Sequence, residues 1–197
     1  TDGAALEVFD GVGGRYPAVL VAGSVLELGA RVAEPPPARP LLLAQALAKG
    51  DKMELVIQKA TELGVQAIAP FAAARSVVRL EGERAAERVQ RWQRIADEAA
   101  RQCGRADVPR VLPIVPFPKL LERSVAEGVR PLVLFERERS RRLSEALAAN
   151  PGPAHLVIGP EGGFADEEVA AADQAGGETV TLGRLVLRTE TAGLAAL

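Results

Sequence analysis

The chain has 197 residues and a formal net charge of −2, and 48% of its residues are hydrophobic and 25% charged. This length and composition predict a soluble protein of one or two domains, and the single cysteine excludes an intramolecular disulfide framework and favours a reducing, cytoplasmic location. No apolar run reaches the roughly 18–20 residues that span a bilayer, and the net charge argues weakly against a nucleic-acid partner while leaving room for a local basic surface.

Two short strands are predicted near the start, at residues 6–10 and 16–21. The glycine-rich residues 11–14 between them favour a hairpin turn over half of a dinucleotide fingerprint, because no third spaced glycine and no helix follow. Residues 34–40 contain four prolines, which favour a stiff connector. We therefore predict a domain boundary here, with domains at residues 1–38 and 39–197.

A strand–helix–strand unit is predicted after the connector. Residues 41–47, LLLAQAL, are typical of a strand that is buried on both faces. Asp51 is the predicted N-cap of a helix over residues 52–63, and residues 65–70 form the next strand. The expected buried stripe of the helix is Met53, Val56, Ile57, Ala60 and Leu63. Such a unit implies a parallel sheet with a crossover helix.

A long helix is predicted over residues 83–103. Its apolar face is expected to contain Val89, Trp92, Ala96, Ala99 and Cys103. An arginine stripe beside that face is typical of a solvated surface, although contact with RNA phosphates is also open. Helices near 119–127 and 140–149 and a strand at 132–135 follow.

Several kinds of site are excluded or disfavoured. One histidine and one cysteine cannot build a structural zinc site, and we expect no metal. His155 starts a predicted strand, where a hydrogen-bonded structural histidine is favoured over a member of a catalytic triad. The chain has no Walker A sequence and no dinucleotide fingerprint after a strand.

Two strand–loop–helix units near the carboxyl terminus carry the strongest functional signal. The apolar runs at residues 156–158 and 180–182 stop at Gly159 and Gly183, and loops at the carboxyl ends of parallel strands bind ligands in open α/β sheets. In the first loop Gly162 and Gly163 permit positive φ and a close backbone approach. Asp166 is the predicted N-cap of a helix over 167–175, whose acidic first turn makes a poor anion site. The loop is either a plain turn or part of a pocket.

The second unit contains Arg188, Thr189 and Glu190 between apolar residues. Thr189 is the predicted cap of the helix that follows. The three residues form either a buried capping network or a site, and paired opposite charges beside a glycine loop suit a neutral or zwitterionic ligand.

These residues resemble a known family. GPEGGF followed by LGRLVLRTETA, together with LAKGDKMELVIQKATELG, RSVV and RQCGR upstream, is similar to the RsmE family of small-subunit ribosomal RNA uracil-N3 methyltransferases of the SPOUT superfamily. The resemblance covers roughly residues 40–197. It implies an α/β fold with a parallel sheet and a carboxyl-terminal trefoil knot, S-adenosylmethionine as cofactor, and a homodimer. The initial strands resemble the tail of a PUA-like β-barrel that binds RNA, and we expect the usual start of that barrel to be absent here.

The resemblance also assigns roles by position. The implied cofactor-binding residues are Leu156, Ile158, Gly159, Pro160, Glu161, Gly162, Gly163, Leu182, Gly183, Leu187, Thr189 and Ala192. The catalytic candidates are Arg188 and Glu190, because uracil N3 must lose a proton and needs a base or a stabilising cation. A structural ion pair of Arg188 with Glu161 or Glu190 is the alternative. The basic residues expected at the rim of the RNA cleft are Lys49, Lys52, Lys59, Arg75, Arg101 and Arg105.

The implied function is methylation of N3 of a uridine in 16S ribosomal RNA of the small subunit. The alternatives are another SPOUT RNA methyltransferase, acting on ribose 2′-hydroxyl or on tRNA, and a non-catalytic RNA-binding or assembly protein. A binding module has no need of intact cofactor loops, which favours an enzyme.

Overall fold

The computed structural model describes residues 2–32 and 39–197, and the first of these parts forms a small antiparallel sheet. Its strands are β1 (Ala5–Phe9), β2 (Arg15–Leu20) and β3 (Leu26–Leu28), in the order β1-β2-β3. The carboxylate of Asp10 accepts hydrogen bonds from the backbone N–H groups of Val12 (2.9 Å) and Gly14 (2.7 Å), which closes the turn between β1 and β2. The predicted hairpin is confirmed. The connector predicted at 34–40 lies mostly outside the described residues.

The second part is an α/β unit built on one parallel sheet, as predicted. Its strands are β4 (Leu41–Ala46), β5 (Ala67–Ala72), β6 (Arg110–Val111), β7 (Val115–Pro116), β8 (Pro131–Leu134), β9 (Ala154–Ile158) and β10 (Glu178–Val180). They run in the order β10-β8-β9-β4-β5-β6, with β7 also paired to β5. The helices are α1 (Lys52–Glu62), α2 (Gly82–Cys103), α3 (Phe117–Ala126), α4 (Leu143–Ala149), α5 (Asp166–Gln174) and α6 (Thr189–Ala195).

The apolar run of β4 places that strand at the centre of the sheet. Successive side chains of a strand point to opposite faces, so Leu43 packs with α1 and α2 on one face while Ala44 packs with α3 and α5 on the other. Both are fully buried. A strand that is covered on both faces is expected to have apolar residues at every position. Gln45 is the exception in β4, because it is polar and yet fully buried.

The predicted helices are present, but some of their ends differ from prediction. Asp51 is the N-cap residue of α1, as predicted, although its side chain makes no capping hydrogen bond. Leu63 lies just beyond the helix and is 54% exposed, so its predicted place in the buried stripe is wrong. Cys103 at the end of α2 is also exposed rather than buried.

One predicted helix start and two predicted N-caps were also wrong. The helix predicted from residue 140 starts at Leu143, because the carboxylate of Glu138 accepts the backbone N–H groups of residues 139–141 and holds them in a loop. Helix α5 starts at Asp166 itself, and the Glu168 carboxylate accepts the N–H of the capping residue Ala165 at 2.9 Å. Helix α6 likewise starts at Thr189, with Arg188 as N-cap.

The two ends of the parallel sheet carry different structures. The small amino-terminal sheet contacts the segment after α2, where Gly13 N–H donates to the Ala106 carbonyl (3.0 Å) and Arg15 donates to the Gly104 carbonyl (2.8 Å). That segment leads into β6 and lies at the amino ends of the parallel strands. The carboxyl ends of β4, β8, β9 and β10 meet at the opposite edge, which is the edge where ligands bind in such folds. None of the helices in the described residues has the length and apolarity to cross a membrane.

Candidate active site

A cavity of about 510 Å³ lies at the carboxyl edge of β8, β9 and β10. This volume is within the range of small-molecule and cofactor sites. Eleven of the twelve residues implied as cofactor ligands line it: Ile158, Gly159, Pro160, Glu161, Gly162, Gly163, Leu182, Gly183, Leu187, Thr189 and Ala192. Leu156 does not, because it lies inside β9 and is fully buried in the core. The two predicted loops therefore do share one pocket.

The first loop, residues 159–163, needs glycine for two different reasons. Gly163 has a φ of +69°, and a Cβ there would lie 2.7 Å from Oε1 of Glu136. Gly162 has no positive φ, contrary to prediction, but a Cβ at this position would lie only 3.1 Å from Cβ of Arg75. The loop thus packs closely against Arg75 and Glu136, and neither position has room for a side chain.

The second loop is tied to the first by a side-chain hydrogen bond. The hydroxyl of Thr189 donates to the carbonyl of Gly159 (2.6 Å), and Nε2 of Gln45 donates to the same hydroxyl (2.8 Å). Thr189 therefore links two loops, and its predicted role as a helix cap is wrong. Sequence reasoning missed Gln45, although an amide within a buried apolar run already requires a hydrogen-bonding partner.

A third loop, after β8, also lines the cavity and was missed. It contributes Phe135, Glu136 and Arg139. The signal was available, since a predicted strand at 132–135 that runs parallel to its neighbours must end at the same edge of the sheet. Glu138 organises this loop: hydrogen bonds from the hydroxyl and N–H of Ser140, and then from the N–H of Arg141, lower its carboxyl pKa to about 2.

Lys52 joins the two acidic residues of the site. Its ammonium lies 3.1 Å from a carboxylate oxygen of Glu161 and 3.3 Å from one of Glu190. The hydrogen bond with Glu161 is the main cause that raises the pKa of Lys52, with a smaller contribution from Glu190. Burial works to raise the pKa of Glu161, yet hydrogen bonds from its own N–H and from Lys52 hold that pKa below its usual value.

The two catalytic candidates differ in their surroundings. Arg188 is exposed, lines the cavity, and makes no ion pair within the described residues. Its alternative partners, Glu161 and Glu190, are both held by Lys52. The side chain of Glu190 is 13% exposed and lies behind the cavity wall rather than in the lining. Of the two catalytic candidates, Arg188 is therefore the one that lines the cavity, together with the basic residues Lys52 and Arg139.

The six basic residues predicted at the cleft rim separate into two groups. Lys52 lines the cavity, Lys49 donates its backbone N–H to Glu161 (3.3 Å), and Arg75 donates to the carbonyl of Gly162 (3.2 Å). These three lie at the cavity edge, as predicted. Lys59, Arg101 and Arg105 lie toward the other end of the sheet, because α1 and α2 run away from the cavity.

The guanidinium of Arg105 is bound by other residues of the protein. Its guanidinium donates to the carbonyl of Thr61 (2.7 Å) and pairs with Asp107 (2.7 Å), and its side chain is 13% exposed. Lys59 pairs with Glu62 at 2.8 Å in the last turn of α1. The prediction that these residues and Arg101 border the same cleft as Lys52 is not supported by their positions.

His155 has the structural role that was predicted. Its Nδ1 lies 2.8 Å from the hydroxyl of Ser124, and its Nε2 lies 3.1 Å from the carboxylate of Glu127. Burial is the main cause that lowers the pKa of the imidazole, so it is neutral at physiological pH. Ser124 is fully buried and out of reach of a substrate. In residues 2–32 and 39–197 no group of three or more His, Cys, Asp and Glu side chains could hold a metal ion.

Comparison with known proteins agrees with this arrangement. The sequence model of a family described as RNA methyltransferase domain matches residues 34–197. The ribosomal RNA small subunit methyltransferase E of Mycobacterium bovis is 40% identical over 202 residues, which cover 99% of this chain and 77% of that protein. The crystal structure of a ribosomal RNA small subunit methyltransferase E from Neisseria gonorrhoeae, bound to S-adenosyl methionine, is 37% identical with a TM-score of 0.85 and covers 100% of this chain and 82% of its own.

A more distant structure shares the fold alone. The TrmH/SpoU tRNA modifying enzyme of A. aeolicus is 16% identical, with a TM-score of 0.51 over 81% of this chain and 73% of that one. The predicted α/β class with a SPOUT-type parallel sheet is consistent with this likeness.

Proposed function

The chain belongs to the ribosomal RNA small subunit methyltransferase E family, and from this we propose that it transfers a methyl group from S-adenosylmethionine to N3 of a uridine in 16S ribosomal RNA. The observation that carries the proposal is the single cavity that both glycine loops line, with Arg188 open to it. We further propose that the protein acts in the cytoplasm and that its substrate is the small ribosomal subunit.

The residues of the cavity fit the cofactor. Its walls combine apolar side chains such as Ile158 and Leu187 with the backbone of the glycine loops, which suits an adenine ring. Charged groups of both signs, including Glu161 and Arg139, suit the aminocarboxylate end. The absence of a side chain at Gly163 lets the first loop pack against Glu136, which also lines the cavity. When bound, the sulfonium supplies an electrophilic methyl group, so positioning accounts for much of the rate.

Arg188 has the main role in our proposed mechanism. Uracil N3 must lose its proton to water or a base before or during attack, and negative charge then develops on the ring. The guanidinium of Arg188 stabilises this charge as the N3–carbon bond forms and the sulfur–carbon bond breaks. Glu190 acts on Lys52 rather than on the substrate, so we assign it a positioning role: with Glu161 it holds the ammonium at the cavity wall.

Lys49, Lys52 and Arg75 form the proposed RNA rim at the cavity edge. Residues 1–38 form the proposed partial PUA-like barrel and add phosphate contacts, while 39–197 form the SPOUT methyltransferase domain. We also propose the carboxyl-terminal trefoil knot and a homodimer. The two loops from which this knot would be built lie against each other, since Thr189 donates a hydrogen bond to the carbonyl of Gly159.

Two measurements separate this function from its alternatives. Calorimetric titration with S-adenosylmethionine should show saturable binding, and an absence of binding would leave only the non-catalytic reading. Incubation of small subunits that lack the modification with methyl-labelled cofactor should then label the RNA. A label found on ribose, or on tRNA alone, would favour another SPOUT methyltransferase.

A further inference from the structure

We propose that Gln45, buried in the central strand, is a positioning residue for the cofactor. Through the hydroxyl of Thr189 it fixes the carbonyl of Gly159 and so sets where the first cofactor loop begins. The inference rests on the proposed function, because it concerns the same cavity.

The amide of Gln45 is poorly explained by stability alone. It is fully buried in an otherwise apolar strand, and its Oε1 has no hydrogen-bond partner in the described part of the chain. A buried acceptor without a partner destabilises the folded state, whereas an apolar side chain of the same size would carry no such cost. The one short hydrogen bond that the amide makes is the 2.8 Å bond to Thr189.

The direction of this hydrogen-bond relay is determined by its chemistry. Thr189 has one hydroxyl proton and donates it to the carbonyl of Gly159 at 2.6 Å. Its oxygen must therefore accept its other hydrogen bond, and the NH₂ group of Gln45 is the donor. A glutamate at position 45 offers only acceptors when ionised, so it would draw the hydroxyl proton away from Gly159.

The end of the relay is a peptide group with few other restraints. The carbonyl of Gly159 belongs to the bond that precedes Pro160, and proline has no N–H. The carbonyl is therefore the one hydrogen-bonding group by which this peptide can be oriented. Because Gly159 and Pro160 both line the cavity, rotation of their peptide changes the wall that the cofactor contacts.

The fold leaves space for the amide. A Cβ on Gly193 of α6 would lie 2.7 Å from Oε1 of Gln45, with its next neighbours at 3.8 Å. Helix α6 can approach β4 this closely because residue 193 has no side chain. Gln45 also stands beside Ile158 in the sheet register, one residue before the loop that it orients.

The test compares Gln45→Met, which keeps the length of the side chain, with wild type. We expect the midpoint of urea unfolding to stay equal or rise, because the unpartnered acceptor is lost. The Kd for S-adenosylmethionine should rise about tenfold, and KM with it, while kcat at saturating cofactor changes less than threefold. Wild-type Kd and KM in this variant would overturn the proposal.

A second pair of variants keeps the proposal testable if Gln45→Met does not fold. Thr189→Val should weaken cofactor binding to a similar extent, and Thr189→Ser should retain more affinity than Thr189→Val. Combining Thr189→Val with Gln45→Met should add little, since both break one relay. Thr61→Val is the control, because it removes a buried hydroxyl bond of 2.7 Å in α1, away from the cavity. Equal affinities for the Ser and Val variants would contradict the relay.

These measurements also separate this inference from the function on which it rests. If wild-type protein fails to bind S-adenosylmethionine, the proposed function fails. If wild type binds and Gln45→Met binds equally well, the role of Gln45 alone is wrong.

Discussion

Replacement of Gly163 by alanine should lower the free energy of cofactor binding by more than it lowers the free energy of unfolding. Gly163 has a φ of +69°, and left-handed backbone costs an L-residue roughly 1–2 kcal/mol. Against a typical folding free energy of about 5–15 kcal/mol, this loss leaves the protein folded. The loop can relieve the strain by moving, and binding must then restore the strained conformation. We therefore expect the Kd for S-adenosylmethionine to rise about 5- to 30-fold.

The chain offers a matched control at Gly176. This residue has a φ of +75°, and a Cβ at this position would meet no heavy atom within 4 Å. It follows α5, at the end of the sheet opposite the cavity. Gly176→Ala should lower the urea midpoint at least as much as Gly163→Ala does, with no change in Kd. Adding Glu136→Ala to Gly163→Ala removes the 2.7 Å contact and leaves only the backbone strain. If calorimetry gives the same Kd for Gly163→Ala and Gly176→Ala, the loop is only a turn.

Further predictions concern charge and pH. Arg188→Ala should lower kcat by about 10²- to 10³-fold, with Kd for the cofactor changed less than threefold, and a kcat near wild type would remove Arg188 from the mechanism. Lys49→Ala should weaken RNA binding and reduce the slope of log K against log salt concentration by about 1. Lys119→Ala, on the opposite face of the sheet, should change neither. Equal slopes for the two variants would mean that the RNA binds elsewhere. The folded-state pKa of Glu138 is lowered from 4.5 to about 2, so the stability that its carboxylate contributes is complete above pH 4.5 and is lost as the pH falls towards 2. Glu138→Gln should therefore lower the urea midpoint at pH 7 but hardly at pH 2. An equal decrease in the midpoint at both pH values would contradict this. Burial lowers the pKa of His155 from 6.5, so the stability that the neutral imidazole contributes is present above pH 6.5 and is lost as the pH falls below that value. His155→Gln should therefore reduce the decline in unfolding free energy between pH 7 and 5. An unchanged decline would mean that other groups cause it.

The parallel sheet and the shared pocket could be predicted because both depend on local patterns. The continuous apolar run at residues 41–47 indicates burial on both faces, and a strand that ends at Gly159 or Gly183 must open at the carboxyl edge. Neither inference needs knowledge of distant residues. The same reasoning, applied to the strand at 132–135, would have added Glu136 and Arg139.

The side-chain partners could not be predicted, because they join residues far apart in the chain. Gln45 and Thr189 are separated by 144 positions, and the oxygen of Glu161 lies 109 positions from the ammonium of Lys52. Lys52 was therefore assigned to RNA as an isolated charge, although two carboxylates hold it. The start of α4 was predicted wrongly for a related reason. Residues 139–141 have helical propensity, but their backbone N–H groups donate hydrogen bonds to the carboxylate of Glu138.

The most direct test of the proposed function is the position of the transferred methyl group. Small ribosomal subunits that lack the modification are incubated with wild-type protein and labelled S-adenosylmethionine, and the RNA is digested to nucleosides for mass spectrometry. The proposed reaction predicts one labelled nucleoside, 3-methyluridine, in which the methyl group stays with the base on fragmentation. A label that stays with the ribose, or no label despite cofactor binding, would contradict it.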